Sequence, residues 1–201
     1  SMISSQINQL QNWGLKDFIV ITNPEFHDLI VRDIYTNFKN INISFVTQTA
    51  PKGIADALSY AESEVEEDSI ITFILGDNFF GENPLKAENY ENFKGAKIFA
   101  TNVENPQEFG VMELNSQKKL IDLHEKPDNF ISSLAVVGLY LYDKSCFEFI
   151  KKLKPSSRGE LEVTDLNKLY LSKNLLSYEV IDSWWIDAGT EDRINELKNL
   201  I

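Results

Sequence analysis

A single cysteine, Cys146, stands among 201 residues, so no disulfide can form within the chain. No Cys/His cluster has the spacing of zinc ligands either, which removes stapled secreted modules and zinc-built domains from consideration. Basic residues are scarce: 19 Lys plus Arg face 31 Asp plus Glu, a net charge of -12. A surface that acidic repels phosphate polyanions unless a local basic patch offsets it, and the sequence has none, so no nucleic acid and no membrane is expected as a partner. Long apolar runs are missing too; a stretch such as Ala135, Val136 and Val137 falls far short of the about 18 residues that a transmembrane helix needs. The first residues carry neither the basic nor the apolar region of a signal peptide, and a cytoplasmic location is the expectation. What is there, 43% hydrophobic residues at this length, suffices to bury the core of one compact α/β domain without staples.

Apolar periodicity maps the chain. A helix is predicted over residues 4–13, with Ile7 and Leu10 on one face and Gly14 as its stop. The β-branched run 18–22 reads as a strand covered on both faces, as in a parallel sheet. A helix over 24–38, a strand over 43–47, a helix over 53–65 and a strand over 70–75 continue an alternation that argues a doubly wound sheet. Beyond residue 83 the texture changes to shorter strands, at 96–103, 110–114, 120–124 and 135–142, joined by Asn, Asp, Pro and Gly turns. Helices over 144–153 and 163–171, a strand over 175–181 and a helix over 191–200 complete the prediction. His27 is expected to be solvated on its helix and Cys146 to be packing rather than a nucleophile. Arg158 reads either as lining a site or as pairing with Glu160, the pair being the expectation, and the acidic run from Glu62 to Asp68 is expected to be a solvated helix end.

Four segments carry candidate chemistry. Leu75-Gly76-Asp77-Asn78 follows an apolar strand, where open α/β sheets place their ligands. Gly76 lets backbone approach a ligand, and Asp77 can hold a hard divalent cation that bridges phosphate oxygens. Taken alone, Gly76-Asp77-Asn78 is more often a turn. In Trp184-Trp185-Ile186-Asp187-Ala188-Gly189-Thr190 an aspartate leaves an apolar strand, and Thr190 can cap the helix that follows. That cap explains the threonine but not Asp187. If Asp77 and Asp187 converge, two carboxylates can hold one Mg2+ while a triphosphate supplies further oxygens. The loop from Gln48 to Gly53 opens into a helix: the glutamine amide suits the edge of a nucleobase, Gly53 allows close approach, and a plain connector is the simpler alternative. Glu125-Lys126-Pro127 puts an acceptor and a cation side by side, suited to a sugar hydroxyl and a phosphate, though by itself it is an ordinary ion pair.

Together these segments, with Asn105-Pro106-Gln107-Glu108-Phe109-Gly110-Val111, Val137-Gly138-Leu139-Tyr140 and the stretch from Lys154 to Asp165, make the chain similar to the sugar-1-phosphate nucleotidylyltransferases, closest to their glucose-1-phosphate thymidylyltransferase branch. The likeness runs from about Ser1 to Ile194. It implies an α/β fold with a Rossmann-like mixed sheet flanked by helices. One domain would span residues 1–201, with an inserted α+β sugar-binding part at about 84–182. It implies that Gln48, Gly53, Gly76 and Asp77 bind the nucleotide, that Asp77 and Asp187 hold Mg2+, and that Glu125 holds the sugar and Lys126 its phosphate. Gly110, Gly138 and Tyr140 would line the sugar pocket, and Asp77, Lys126 and Asp187 would carry the catalysis. The partners are then a nucleoside triphosphate, with dTTP favoured, and glucose 1-phosphate; homo-oligomer formation stays open.

The departures from the family pattern bear on activity. Its first strand, its Gly-Gly-x-Gly-Thr-Arg loop and its Lys-Gln segment have no counterpart in this sequence. That loop cradles the triphosphate, and its arginine and the lysine stabilise charge at the reacting phosphorus. A segment upstream is therefore expected, and the residues as written are expected to be inactive or weakly active. The strand would be central, so its neighbours' edges are expected to be unpaired. The alternative is a non-catalytic relative that binds sugar nucleotide or assembles with other subunits. Asp56 stands in place of a usual glutamine, His124 in place of a usual glutamate and Ser133 in place of a usual asparagine.

Overall fold

The computed structural model describes residues 1–85, 90 and 92–200. Helix α1 (Met2–Asn12) begins where the Ser1 hydroxyl accepts the Ser4 N–H, and it ends before Gly14, whose φ of +94° suits a helix stop. Strand β1 (Asp17–Thr22) and β2 (Asn42–Thr47) form a parallel two-stranded sheet. Helix α2 (His27–Asn37) connects them and starts three residues later than the periodicity predicts. The Asn23 side chain accepts the Phe26 N–H at 2.9 Å, a local turn that outcompetes helix over Pro24 to Phe26.

His27 is not simply solvated. Its Nδ1 lies 2.9 Å from the Thr22 hydroxyl and 3.2 Å from that of Thr47, because those threonines face each other in the ladder. Nor is β1 covered on both faces. Only Thr22 is buried in it, since among the described residues β1 pairs with β2 alone and has no second neighbour to bring cover.

After α3 (Ile54–Ser59) the chain runs into a 3-10 turn at Glu62–Glu64, so the helix is shorter than the predicted 53–65. The Ser59 hydroxyl donates to the Asp56 carbonyl at 2.6 Å, taking an acceptor from the helical ladder. Two acidic residues of this run are paired: Glu62 with Lys151 at 2.8 Å and Glu67 with Lys144 at 2.9 Å.

Among the described residues the main sheet has six strands. Its axis is β8 (Leu134–Tyr142), flanked on one side by β5 (Ala96–Asn102) and then β9 (Leu176–Val180). On the other side β3 (Ile71–Ile74) pairs with the C-terminal half of β8, while β6 (Gly110–Leu114) and β7 (Leu120–Glu125) continue from its N-terminal half. All these pairings are antiparallel except β5 with β9, so the sheet is mixed rather than wholly parallel. Among the described residues β3 pairs only with β8 and β1 only with β2, leaving each with one unpaired edge.

Alternation along β8 feeds two cores. Val137, Leu139 and Leu141 pack with Phe80, Phe99 and Ile181 on one face. Tyr140 and Tyr142 pack with Met112, Leu123, Leu166 and Tyr170 on the other, which helices α4 (Ser145–Ile150) and α5 (Val163–Ser172) cover. Cys146 is buried there, as expected of a packing residue, and burial pushes its thiol up to about 12. A small third sheet joins β4 (Asn78–Phe80) and β10 (Trp185–Asp187), antiparallel, and α6 (Glu191–Leu200) follows. Periodicity missed β4, because three residues are too few to show a period. Among the described residues no helix is long and apolar enough to cross a membrane.

Candidate functional site

The β4–β10 register decides where two aspartates meet. Asp187 lies opposite Asn78, one residue past Asp77. The Ala188 N–H donates to the Asp77 carbonyl at 2.7 Å, and the Gly189 N–H to Asp187 Oδ1 at 3.0 Å. The point a Cβ on Gly189 would occupy is 3.0 Å from Asp187 Oδ1 and 3.6 Å from Asp77 Oδ2, so both carboxylates border one small volume. Burial raises the Asp187 pKa, and the neighbouring Asp77 charge raises it further. Arg193 stands 3.8 Å from Asp187, tied at 2.9 Å to Glu108. Thr190 accepts the Arg193 N–H at 3.4 Å and so does cap α6.

Asn78 fixes this pair, and sequence reading gave its side chain no role. Its buried amide donates to Asp77 Oδ1 at 2.8 Å and accepts from the Gly138 N–H at 2.9 Å and the Trp185 indole at 2.7 Å. A Cβ on Gly138 would come within 2.7 Å of that amide, so the glycine is required by Asn78. From α1, Gln6 donates to the carbonyls of Leu75 and Asn78, at 2.5 and 3.1 Å. One glutamine among the three of α1 carries no sequence signal for that task.

Beside the aspartates lies a cavity of about 220 Å³ bordered by Gly110, Glu125, Lys126, Gly138, Tyr140 and Asp187, all singled out from sequence. Gly110 and Glu125 face each other across β6 and β7. Glu125 accepts from Thr164 of α5 at 2.5 Å. In a regular strand Glu125 and Lys126 would point to opposite faces. Lys126 instead has φ +41°, a left-handed conformation that brings both residues to the cavity, held by its N–H donating to Phe109 at 3.0 Å. For a residue with a side chain, such a backbone costs about 1–3 kcal/mol.

Tyr140 is almost wholly buried. Burial holds its phenol protonated far above neutrality, helped by the charges of Glu125 and Asp77. Arg158 also lines the cavity, bonded to Glu162 at 2.8 Å and lying 3.4 Å from Glu125 and 3.5 Å from Glu160. The expected pair with Glu160 is present, but the shorter contact is to Glu162, because the turn closed by the Ser156 N–H on the Glu160 carbonyl and the Gly159 N–H on the Ser156 carbonyl folds Arg158 back over the Glu162 carboxylate.

Gln48, Gly53, Gly76 and Asp77 are not among the residues lining this cavity. Gln48 and Gly53 do meet: the amide donates to the Gly53 carbonyl at 3.2 Å and to Asp56 at 2.8 Å. Gly53 has φ +102°, and a Cβ there would sit 2.5 Å from the Leu161 carbonyl, so Leu161 alone already demands a glycine. Gly76 has open space around it.

A strand-end carboxylate pair beside a cavity bordered by Lys126, on a mixed sheet backed by helices, suits the handling of phosphate groups. The chain belongs to the nucleotidyl transferase family, whose profile it matches over residues 1–201. It is 37% identical to the glucose-1-phosphate thymidylyltransferase of Neisseria meningitidis over 207 aligned positions, covering 100% of this chain and 71% of the relative. A Bacillus anthracis structure, described as a candidate glucose-1-phosphate thymidylyltransferase in complex with sucrose, superposes with a TM-score of 0.87 at 36% identity. That match covers 99% of this chain and 81% of the other. A UDP-glucose pyrophosphorylase bound to UDP-glucose shares the fold, with a TM-score of 0.82 at 18% identity over 98% of this chain and 85% of the other.

Proposed function

We propose that the chain belongs to an enzyme that joins the nucleotidyl group of a nucleoside triphosphate, with dTTP favoured, to glucose 1-phosphate and releases pyrophosphate. The observation that carries this reading is the convergence of Asp77 and Asp187 next to a cavity with Glu125, Lys126 and Tyr140 at its wall. The relatives named above support the choice of sugar phosphate and base.

In this reading a phosphate oxygen of glucose 1-phosphate attacks the α-phosphorus in line, a new P–O bond forms, and the bond to pyrophosphate breaks. Lys126 binds the sugar phosphate as a point charge, while Glu125 accepts hydrogen bonds from sugar hydroxyls. Thr164 holds the Glu125 carboxylate in place for that contact. The neutral Tyr140 phenol offers a donor at the cavity wall, within the field of Glu125 and Asp77, and Gly110 and Gly138 leave room for the ring. Gln48, Gly53 and Gly76 form the nucleotide side; the Gln48 amide is turned to Asp56, so the base meets its carbonyl oxygen or displaces that bond.

Asp77 and Asp187 fit a Mg2+ ion, since two carboxylates facing one volume match a cation that takes one or two protein ligands and otherwise substrate phosphates. Such an ion supplies charge neutralisation along the triphosphate.

Pyrophosphate release from glucose 1-phosphate with each nucleoside triphosphate tests the reading. In protein that carries the family's phosphate loop as well as these residues, Lys126→Ala is expected to raise the KM for glucose 1-phosphate far more than that for dTTP. Equal losses for both substrates would contradict this division of roles. Sugar-nucleotide binding without any pyrophosphate release, with the family's phosphate loop present, would favour the non-catalytic relative.

A further inference from the structure

The β6–β7 hairpin carries a second cluster of ligating groups outside the cavity. Side-chain alternation puts Gly110, Met112, Leu123 and Glu125 on the face toward the cavity and core, and Glu113, Asp122 and His124 on the other. Glu113 and Asp122 stand directly opposite each other in the ladder, and His124 is the diagonal neighbour of Glu113. His124 Nε2 is 2.7 Å from Glu113 Oε2 and 3.8 Å from Asp122 Oδ2. One ligand atom from each residue lies within 4.8 Å of the others.

Like charges directly across two strands destabilise a sheet, so this pair needs a cation. The imidazole answers only when protonated, and Lys168 reaches only Asp122, at 3.3 Å. We propose that Glu113, Asp122 and His124 form a binding site for a divalent first-row transition metal, separate from the Asp77–Asp187 pair. An ion about 2.0–2.2 Å from each donor sets the donors roughly 3.3 Å apart in a tetrahedral shell, a value inside the span of separations already present. A neutral imidazole with two carboxylates prefers zinc and its neighbours over Mg2+, which favours oxygen. The three side chains are 29%, 40% and 43% exposed for His124, Glu113 and Asp122, which leaves the fourth position open to water. Because the ladder fixes both backbones, occupancy clamps the hairpin with small side-chain adjustments. The site depends on neither the nucleotide nor the sugar reading.

The test is a Zn2+ titration of the whole chain in excess Mg2+, followed by the ring resonances of its two histidines and by thermal unfolding. His124 resonances are expected to shift saturably while those of His27 stay in place, and Tm to rise with Zn2+. His124→Gln should weaken Zn2+ binding by about 100-fold and abolish the Tm rise, and Glu113→Gln should weaken binding by at least about tenfold. Unmoved His124 resonances at millimolar Zn2+, or unaltered affinity in both variants, would overturn the site.

Discussion

β1 and β8 are both apolar strands, yet they occupy different surroundings. In β1 the run Phe18-Ile19-Val20-Ile21 is half-buried, and the adjoining α2 leaves Leu29 and Tyr35 more than half exposed, at 54% and 52%. In β8 Ala135, Val137 and Leu139 are wholly buried, because strands flank it on both sides and side chains cover both faces. The difference lies in neighbours, not in the hydrophobicity of the strand. Burial is a property of the assembled sheet, so equally apolar segments contribute unequally to stability.

Truncation should show the largest contrast. Leu139→Ala is expected to cost about 2–5 kcal/mol, against about 1 kcal/mol or less for Val20→Ala, both by urea denaturation. Equal costs would mean that β1 is as well covered in solution as β8.

Glycines sharpen the contrast within the site. Gly138→Ala drives a methyl group into the Asn78 amide and should cost about 1–3 kcal/mol, with Mg2+ affinity falling as Asp77 loses its partner. Gly76→Ala meets open space and should change stability by less than about 0.5 kcal/mol.

A smaller effect concerns charge. Asp187 has a raised pKa in the folded state, so ionising it at neutral pH opposes folding; its favourable share exists at low pH and is lost as pH rises through the folded value. Asp187→Asn should therefore raise Tm at pH 7 in metal-free buffer, and the gain should vanish as pH falls below the ordinary carboxylate range. A gain that persists in acid would assign the effect to something other than ionisation.

A local effect belongs to the open region. His27→Ala removes the ring between Thr22 and Thr47 and should cost about 1 kcal/mol, with faster amide exchange in β1 and β2 and none of that change in β8. Faster exchange in β8 as well would join the two regions into one cooperative unit.

The helices and strands that periodicity placed are those whose sequences repeat over several residues; β6 and α6 keep the predicted bounds. Misplacements arose where a side chain competes with the backbone, as Asn23 does before α2 and Ser59 at the end of α3. The cavity residues Glu125, Lys126, Gly110, Gly138 and Tyr140 were legible through their motifs. Asn78, Gln6 and Thr164 were not read as supports, because their work is done on partners far away in sequence.

By itself the sequence determined the acidic surface, the apolar segments and the order of the motifs, since charge, period and strand-end placement are local properties. Tertiary structure alone decided that Asp187 pairs beside Asp77, that β3 runs antiparallel to β8, and that His124 joins Glu113 and Asp122. Each of those depends on the register between strands, which is selected by the burial of whole faces and is not written in either strand alone.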